Sequence, residues 1–174
     1  MKSRMLINVD PSKCTGCRMC EMACSLIHTG QCSPSLARIN VVKNEEQGIH
    51  LPVLCMQCSD APCIKACPKA ALYQDQDSGW VLIKEDLCIG CKLCHMACPV
   101  GAFRFPKGTK KVVKCNLCGG DPNCVKFCEP GALQLIAEIN FHQRKSLNIL
   151  SAFELRSDIG KAVKHSPIPE GIRI

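Results

Sequence analysis

Sixteen of the seventeen cysteines in this sequence fall into four groups of four. The first is Cys14, Cys17, Cys20 and Cys24 in CTGCRMCEMAC, and the second is Cys55, Cys58, Cys63 and Cys67 in CMQCSDAPCIKAC. The third is Cys88, Cys91, Cys94 and Cys98 in CIGCKLCHMAC, and the fourth is Cys115, Cys118, Cys124 and Cys128 in CNLCGGDPNCVKFC. Only Cys32 stands apart, and it reads as a spare thiol because no group lacks a member. Thiols at two-residue gaps suit soft metal ligation. The alternatives are disulfides, zinc and iron–sulfur clusters.

Spacing separates them. Disulfides need an exported chain, whereas the opening MKSRMLINVD has no apolar stretch, cleavage site or twin arginine. An odd cysteine count also disfavours pairing. The reading is cytoplasmic, although a small subunit can be exported on a partner that carries the signal. Structural zinc sites take four ligands in two pairs, with no trailing proline. The third group, C-x2-C-x2-C-x3-C closed by Pro99, instead has the ferredoxin spacing. Its first three cysteines would wrap one cubane, and the fourth, on a short following helix, would reach a second. The first group matches apart from Ser25 in the proline position, and the second widens its middle gap but keeps Pro68. The fourth widens the gap further and puts Glu129 where proline is usual, so two pairs binding zinc is its closest rival reading.

Groups one and three agree at seven of eleven positions, including Gly16 and Gly90. Groups two and four share a proline in the wide gap (Pro62, Pro122) and the ending C-[IV]-K-x-C. The A-B-A-B order marks a duplicated two-group unit. The elements that must position the thiols are short. Strands are expected at residues 6–9, 38–42, 80–84 and 111–114, and again at 71–73, 102–105 and 132–136. A hairpin turn is expected at residues 74–79. Residues 55–105 thus form a self-contained unit, whereas a longer polar insertion follows group one. Groups two and three look like a pair, leaving one and four to pair across the chain. A sequential scheme, one with two and three with four, remains open on spacing alone.

Five Phe, one Trp and one Tyr are too few for an ordinary core of 174 residues, so metal ligation must help hold the fold. The formal charge of +7 suggests nucleic acid until the thiolates are counted. Four oxidised clusters would add about −8. The cations then balance buried anions, and no nucleic acid or direct membrane insertion is expected. No dinucleotide or phosphate loop is present, and the Asp/Glu pairs lie in polar stretches. Histidines 28, 50, 95, 142 and 165 read as surface or supporting residues. His95 is placed to influence the third group. Residues 143–164 suit one or two helices, and 167–174 an extended tail that clasps a partner or covers the chain's own body.

The four groups, their order and the CxxCxxPxC form of the second resemble the four-cluster subunits of the dimethyl-sulfoxide-reductase type. CTGCRMCEMACSLIHTG, the following SPSLARINV and KCNLCGGDPNCVKFCEPGAL are similar, more narrowly, to the small polyferredoxin subunits that accompany tungsten enzymes. Those enzymes are of the aldehyde:ferredoxin oxidoreductase family, including tungsten-dependent benzoyl-CoA reductase. The resemblance spans about residues 5 to 137. It implies an α+β fold of two ferredoxin-like modules, an outer one of residues 1–54 and 106–137 and an inner one of 55–105. A partly helical extension, 138–174, follows. It also implies four [4Fe–4S] clusters with nested ligation. Cys14, Cys17, Cys20 and Cys128 would hold one, and Cys115, Cys118, Cys124 and Cys24 its neighbour. Cys55, Cys58, Cys63 and Cys98 would hold a third, and Cys88, Cys91, Cys94 and Cys67 the last. The implied role is non-catalytic electron relay to or from a large tungsten-pterin subunit, with a further donor or acceptor subunit. The alternatives are a molybdopterin or hydrogenase-type complex, a free polyferredoxin, and a zinc-binding assembly factor. Two departures predict tuning. Ser25 should raise the potential of the cluster held by Cys24, and Glu129 should lower that held by Cys128.

Overall fold

The computed structural model describes residues 4–106 and 108–138. The helices and tail expected beyond residue 138 lie outside these. Six strands pair as three separate antiparallel ribbons. β1 (Met5–Val9) pairs with β6 (Leu133–Ala137), in register from Met5–Ala137 to Val9–Leu133. This ribbon joins the start of the described chain to its end. β2 (Asn40–Asn44) and β3 (Ile49–Val53) form a hairpin, and so do β4 (Leu72–Gln74) and β5 (Val81–Ile83). The β4–β5 turn is closed by Asp75, whose carboxylate accepts from the Ser78 backbone N–H at 2.9 Å and lies 2.5 Å from its hydroxyl.

The helices follow the cysteine groups. α1 (Met19–Thr29) runs eleven residues, whereas α2 (Pro62–Lys65), α3 (Leu93–Met96) and α4 (Asn123–Lys126) have four each. Sequence explains why α1 outruns α2 and α3, while α4 is equally short although Glu129 follows its last cysteine. Pro68 and Pro99 follow the fourth cysteines of groups two and three, and a proline cannot continue a helix. Ser25 can, so α1 runs on to Gly30, whose φ of 70° ends it.

The buried side chains form two clusters. One draws on both ends of the described chain, with Ile7, Ile39, Leu54, Leu117 and Leu133 around Cys20, Cys24, Cys115 and Cys124. The other is central, with Leu72, Val81, Phe103 and Val112 around Cys63 and Cys94. Thiols occupy places that aliphatic side chains fill in ordinary cores. Between the ribbons, Trp80 donates its indole N–H to the Met5 carbonyl at 3.0 Å.

Three expectations change. The strand expected at 38–42 begins at Asn40 and gains β3 as a partner, which composition had hidden in a polar insertion. Residues 102–105 and 111–114 touch through one bridge, Arg104–Val113, instead of a ladder. The next hydrogen-bonded pair would need the N–H that Pro106 lacks. On the other side the Ala102 N–H points at Cys98 Sγ, and the Cys115 carbonyl is taken by side chains.

Candidate iron–sulfur centres

The glycines at 16 and 90 both have φ of 69°, which opens the C-x2-C turns. Gly90 has a second duty, because a Cβ there would stand 1.7 Å from the Lys110 carbonyl oxygen. The third cysteine of each group lies in a helix, and the fourth lies in that helix or two residues beyond it. On α1, Cys20 and Cys24 lie four residues apart, one above the other on one face.

The structure gathers the thiols in fours. Cys14, Cys17, Cys20 and Cys128 line one cavity, with Val41 and Pro52. Cys55, Cys58, Cys63 and Cys98 line a second, beside Phe103. Cys67, Cys88, Cys91 and Cys94 line a third, beside Leu72 and Val112. Cys24, Cys115, Cys118 and Cys124 are also neighbours, and the first, second and fourth of them are buried. Cys32 is exposed and belongs to no set.

Burial dominates the electrostatics. It pushes the Cys20 thiol up to about 12, with Glu21 beside it adding to the effect. Burial likewise takes Cys115 to about 12, and Cys63 and Cys94 to about 11. Cys124 rises too, through burial and then the nearby Cys115, Cys24, Cys118 and Cys20. Cys67 moves the other way: partial burial is outweighed by the N–H groups of Lys69, Leu72, Ala71 and Ala70. Between sets, the sulfurs that feel one another are Cys20 with Cys124, Cys115 with Cys55, and Cys94 with Cys63. The four sets therefore neighbour one another in series, and each terminal set includes an exposed cysteine, Cys17 or Cys91.

A cluster-bearing group fits this donor set. Backbone N–H groups already aim at sulfur: Arg38 at Cys24 (3.3 Å), Gln57 at Cys55 (3.4 Å), Ala71 at Cys67 (3.3 Å) and Leu117 at Cys115 (3.4 Å). Such bonds stabilise thiolate charge and tune a bound cluster.

Several supporting residues carry no mark in the sequence. Glu21 is fully buried beside Cys20. It accepts the Val41 N–H at 2.6 Å and pairs with Arg18 at 2.8 Å, clamping α1 to β2. His28 Nε2 lies 3.6 Å from Cys118 Sγ, brought there by the extra turns of α1. Gln57 and Lys114 are each 1% exposed. The G-C spacing announces the ligands, but no local signal marks these four. The two expected tuning residues fare differently. The Ser25 hydroxyl donates to the Met22 carbonyl (3.0 Å) and accepts the Ser33 N–H (2.9 Å), so the α1 end uses it rather than a sulfur. Glu129 is exposed beside a depression shared with Cys17 and Phe127. His95 packs edge-on against Phe105, 5.2 Å between centroids, with its Nδ1 buried and without a hydrogen-bond partner among the described residues.

Short ribbons and helices around sets of four thiols define an iron–sulfur electron-transfer protein of the ferredoxin type. The profile of the 4Fe-4S dicluster domain matches residues 46–138, and that of a 4Fe-4S binding domain matches residues 6–25. The chain belongs to the 4Fe-4S dicluster domain family. It is 45% identical over 128 residues to the polyferredoxin-like subunit of the aliphatic sulfonate oxidoreductase of Pyrococcus furiosus, covering 74% of this chain and 73% of that one. It is 36% identical over 143 residues to a subunit of the anaerobic dimethyl sulfoxide reductase of Escherichia coli, covering 72% of this protein and 69% of that subunit. A solved BamBC active-site complex of benzoyl-CoA reductase with 1,5-dienoyl-CoA aligns with a TM-score of 0.48 and 26% identity, over 78% of this chain and 77% of that one. No helix among the described residues is long and apolar enough to cross a membrane.

Proposed function

We propose that this chain relays electrons to or from a larger tungsten-pterin catalytic subunit and performs no substrate chemistry itself. Four [4Fe–4S] clusters, each cycling by one electron, would supply the redox chemistry. Their ligands would be Cys14, Cys17, Cys20 and Cys128; Cys24, Cys115, Cys118 and Cys124; Cys55, Cys58, Cys63 and Cys98; and Cys67, Cys88, Cys91 and Cys94. The observation that carries this reading is the meeting of Cys128 with Cys14, Cys17 and Cys20 around one cavity, 108 or more positions apart in the chain. It supports nested modules, residues 1–54 with 106–137 outside and 55–105 within, and the β1–β6 ribbon and the two buried clusters are consistent with them.

The protein's own contribution is positional. Helix and turn geometry hold the thiols, buried aliphatic side chains keep water away, and N–H groups steady the sulfur charge. The exposed Cys17 and Cys91, one in each terminal set, give two places for exchange with other proteins. The named relatives are subunits of oxidoreductases, which supports a catalytic partner. The choice of tungsten rests on the likeness of CTGCRMCEMACSLIHTG to subunits of tungsten enzymes.

Anaerobic purification from the native host tests this. The expected result is co-elution with a large tungsten-containing chain, and about 16 iron and 16 sulfide per copy of this one. Elution alone would reject the partner, molybdenum in the large chain would move the assignment to the molybdopterin class, and about four zinc without iron would reject electron transfer.

A further inference from the structure

Lys114 is a lysine in the interior, at the junction between the central cysteine set and its neighbour. Its ammonium donates to the carbonyls of Val81 and Cys115, the latter at 2.9 Å. Among the described residues it has no carboxylate partner. A buried cation is costly without nearby negative charge, and two carbonyl dipoles are weak compensation. The two carbonyls it holds belong to residues at different sets: Val81 lines the cavity of Cys55, Cys58, Cys63 and Cys98, whereas Cys115 is itself a member of the neighbouring four.

Gln57 completes the junction. Its backbone N–H points at Cys55 Sγ (3.4 Å), its amide donates to the Cys115 carbonyl (3.0 Å), and its side-chain oxygen accepts the Val81 N–H (2.8 Å). Gln57 and Lys114 thus grip the same two residues' backbone, Val81 and Cys115. Gln57 fixes the geometry and carries no charge. Lys114 supplies the charge.

We infer that Lys114 is the shared counter-cation of the two middle [4Fe–4S] centres, raising both potentials together while leaving the difference between them little changed. A reduced centre carries one more negative charge, so a fixed cation favours reduction on both sides of the gap. The inference rests on the cluster-bearing reading above.

The test uses the full-length holo-protein, with iron and sulfide assayed before anaerobic potentiometry followed by electron paramagnetic resonance. Lys114→Met and Lys114→Gln should lower two of the four couples and leave the other two in place. At a fixed potential the reduced-to-oxidised ratio of each affected centre should drop about tenfold, equivalent to about 59 mV for one electron. Lys114→Arg, which keeps the charge, should hold both near the wild-type values. Assembled neutral variants with four unmoved couples would overturn the assignment, and so would a shift confined to one couple or an arginine variant that behaves like the neutral ones. If only the charged variant assembles, the requirement for a cation at the junction is supported; if arginine also fails to assemble, lysine has a purely steric role and the inference falls. Wild-type protein without iron and sulfide would instead reject the cluster-bearing reading itself.

Discussion

At the residue scale, Gly90 separates conformational need from spatial need. Its positive φ already strains any other residue, and the Lys110 carbonyl leaves no room for a methyl group. Gly90→Ala should therefore displace the turn carrying Cys88 and Cys91 and remove about four iron per chain, measured by colorimetric iron assay. Gly16 faces the ring of His50, the nearest atoms 2.8 Å from a Cβ, and a side chain yields more readily than a backbone carbonyl. Gly16→Ala should lose less iron than Gly90→Ala. Glu129 is solvent-exposed, so water and salt screen its charge. Glu129→Gln should raise the potential of the couple nearest Cys128 slightly, and more at low ionic strength, as read by titration at two salt concentrations. A shift that ignores salt would mean that its action is not electrostatic.

At the element scale, α1 shows how one departure from a repeat reshapes its surroundings. Ser25 in place of proline gives a helix long enough to carry His28 to Cys118 and to cap its own end through Ser33. Ser25→Pro should cost about 3 kcal/mol or more, while Ser25→Ala loses only the local hydrogen bonds, about 1 kcal/mol. Thermal melts of the two holo-variants should preserve that order. Much of this architecture was legible in the sequence, for a physical reason. Ligand spacing and glycine turns are local, so CIGCKLCHMACP declares its chemistry within twelve residues. The β4–β5 hairpin is equally local, closed by Asp75 and Ser78. β3 was not legible, because IHLPV interleaves histidine and proline with its apolar residues and takes its meaning only from β2. Lys114 reads as surface beside any cysteine, since its burial depends on Val81, 33 positions away. Spacing also left open which group lends its last cysteine to which set, a matter of tertiary approach.

At the scale of the whole molecule, the two buried clusters contain at least as many cysteines as large aromatic side chains. Stripping iron would leave those thiols protonated and the cavities unfilled, with little aliphatic packing to replace what is lost. Iron-free protein should show no cooperative melt by circular dichroism, and reconstitution with iron and sulfide should restore one. A sharp unfolding transition without iron would mean that the apolar ribbons suffice.

The β1–β6 ribbon has a consequence for biosynthesis. Residues 5–9 leave the ribosome well ahead of the strand they pair with, which begins 124 positions behind Val9, at Leu133. At about 5–20 residues per second, the opening segment waits roughly 6 to 25 s for the strand that will cover it. Throughout that interval Cys14, Cys17 and Cys20 lack Cys128, and the middle of the chain is finished before the interval ends. On the proposed ligation the central sets would therefore be completed first, and Cys14, Cys17 and Cys20 would be the last of the sixteen thiols to be sheltered from oxygen.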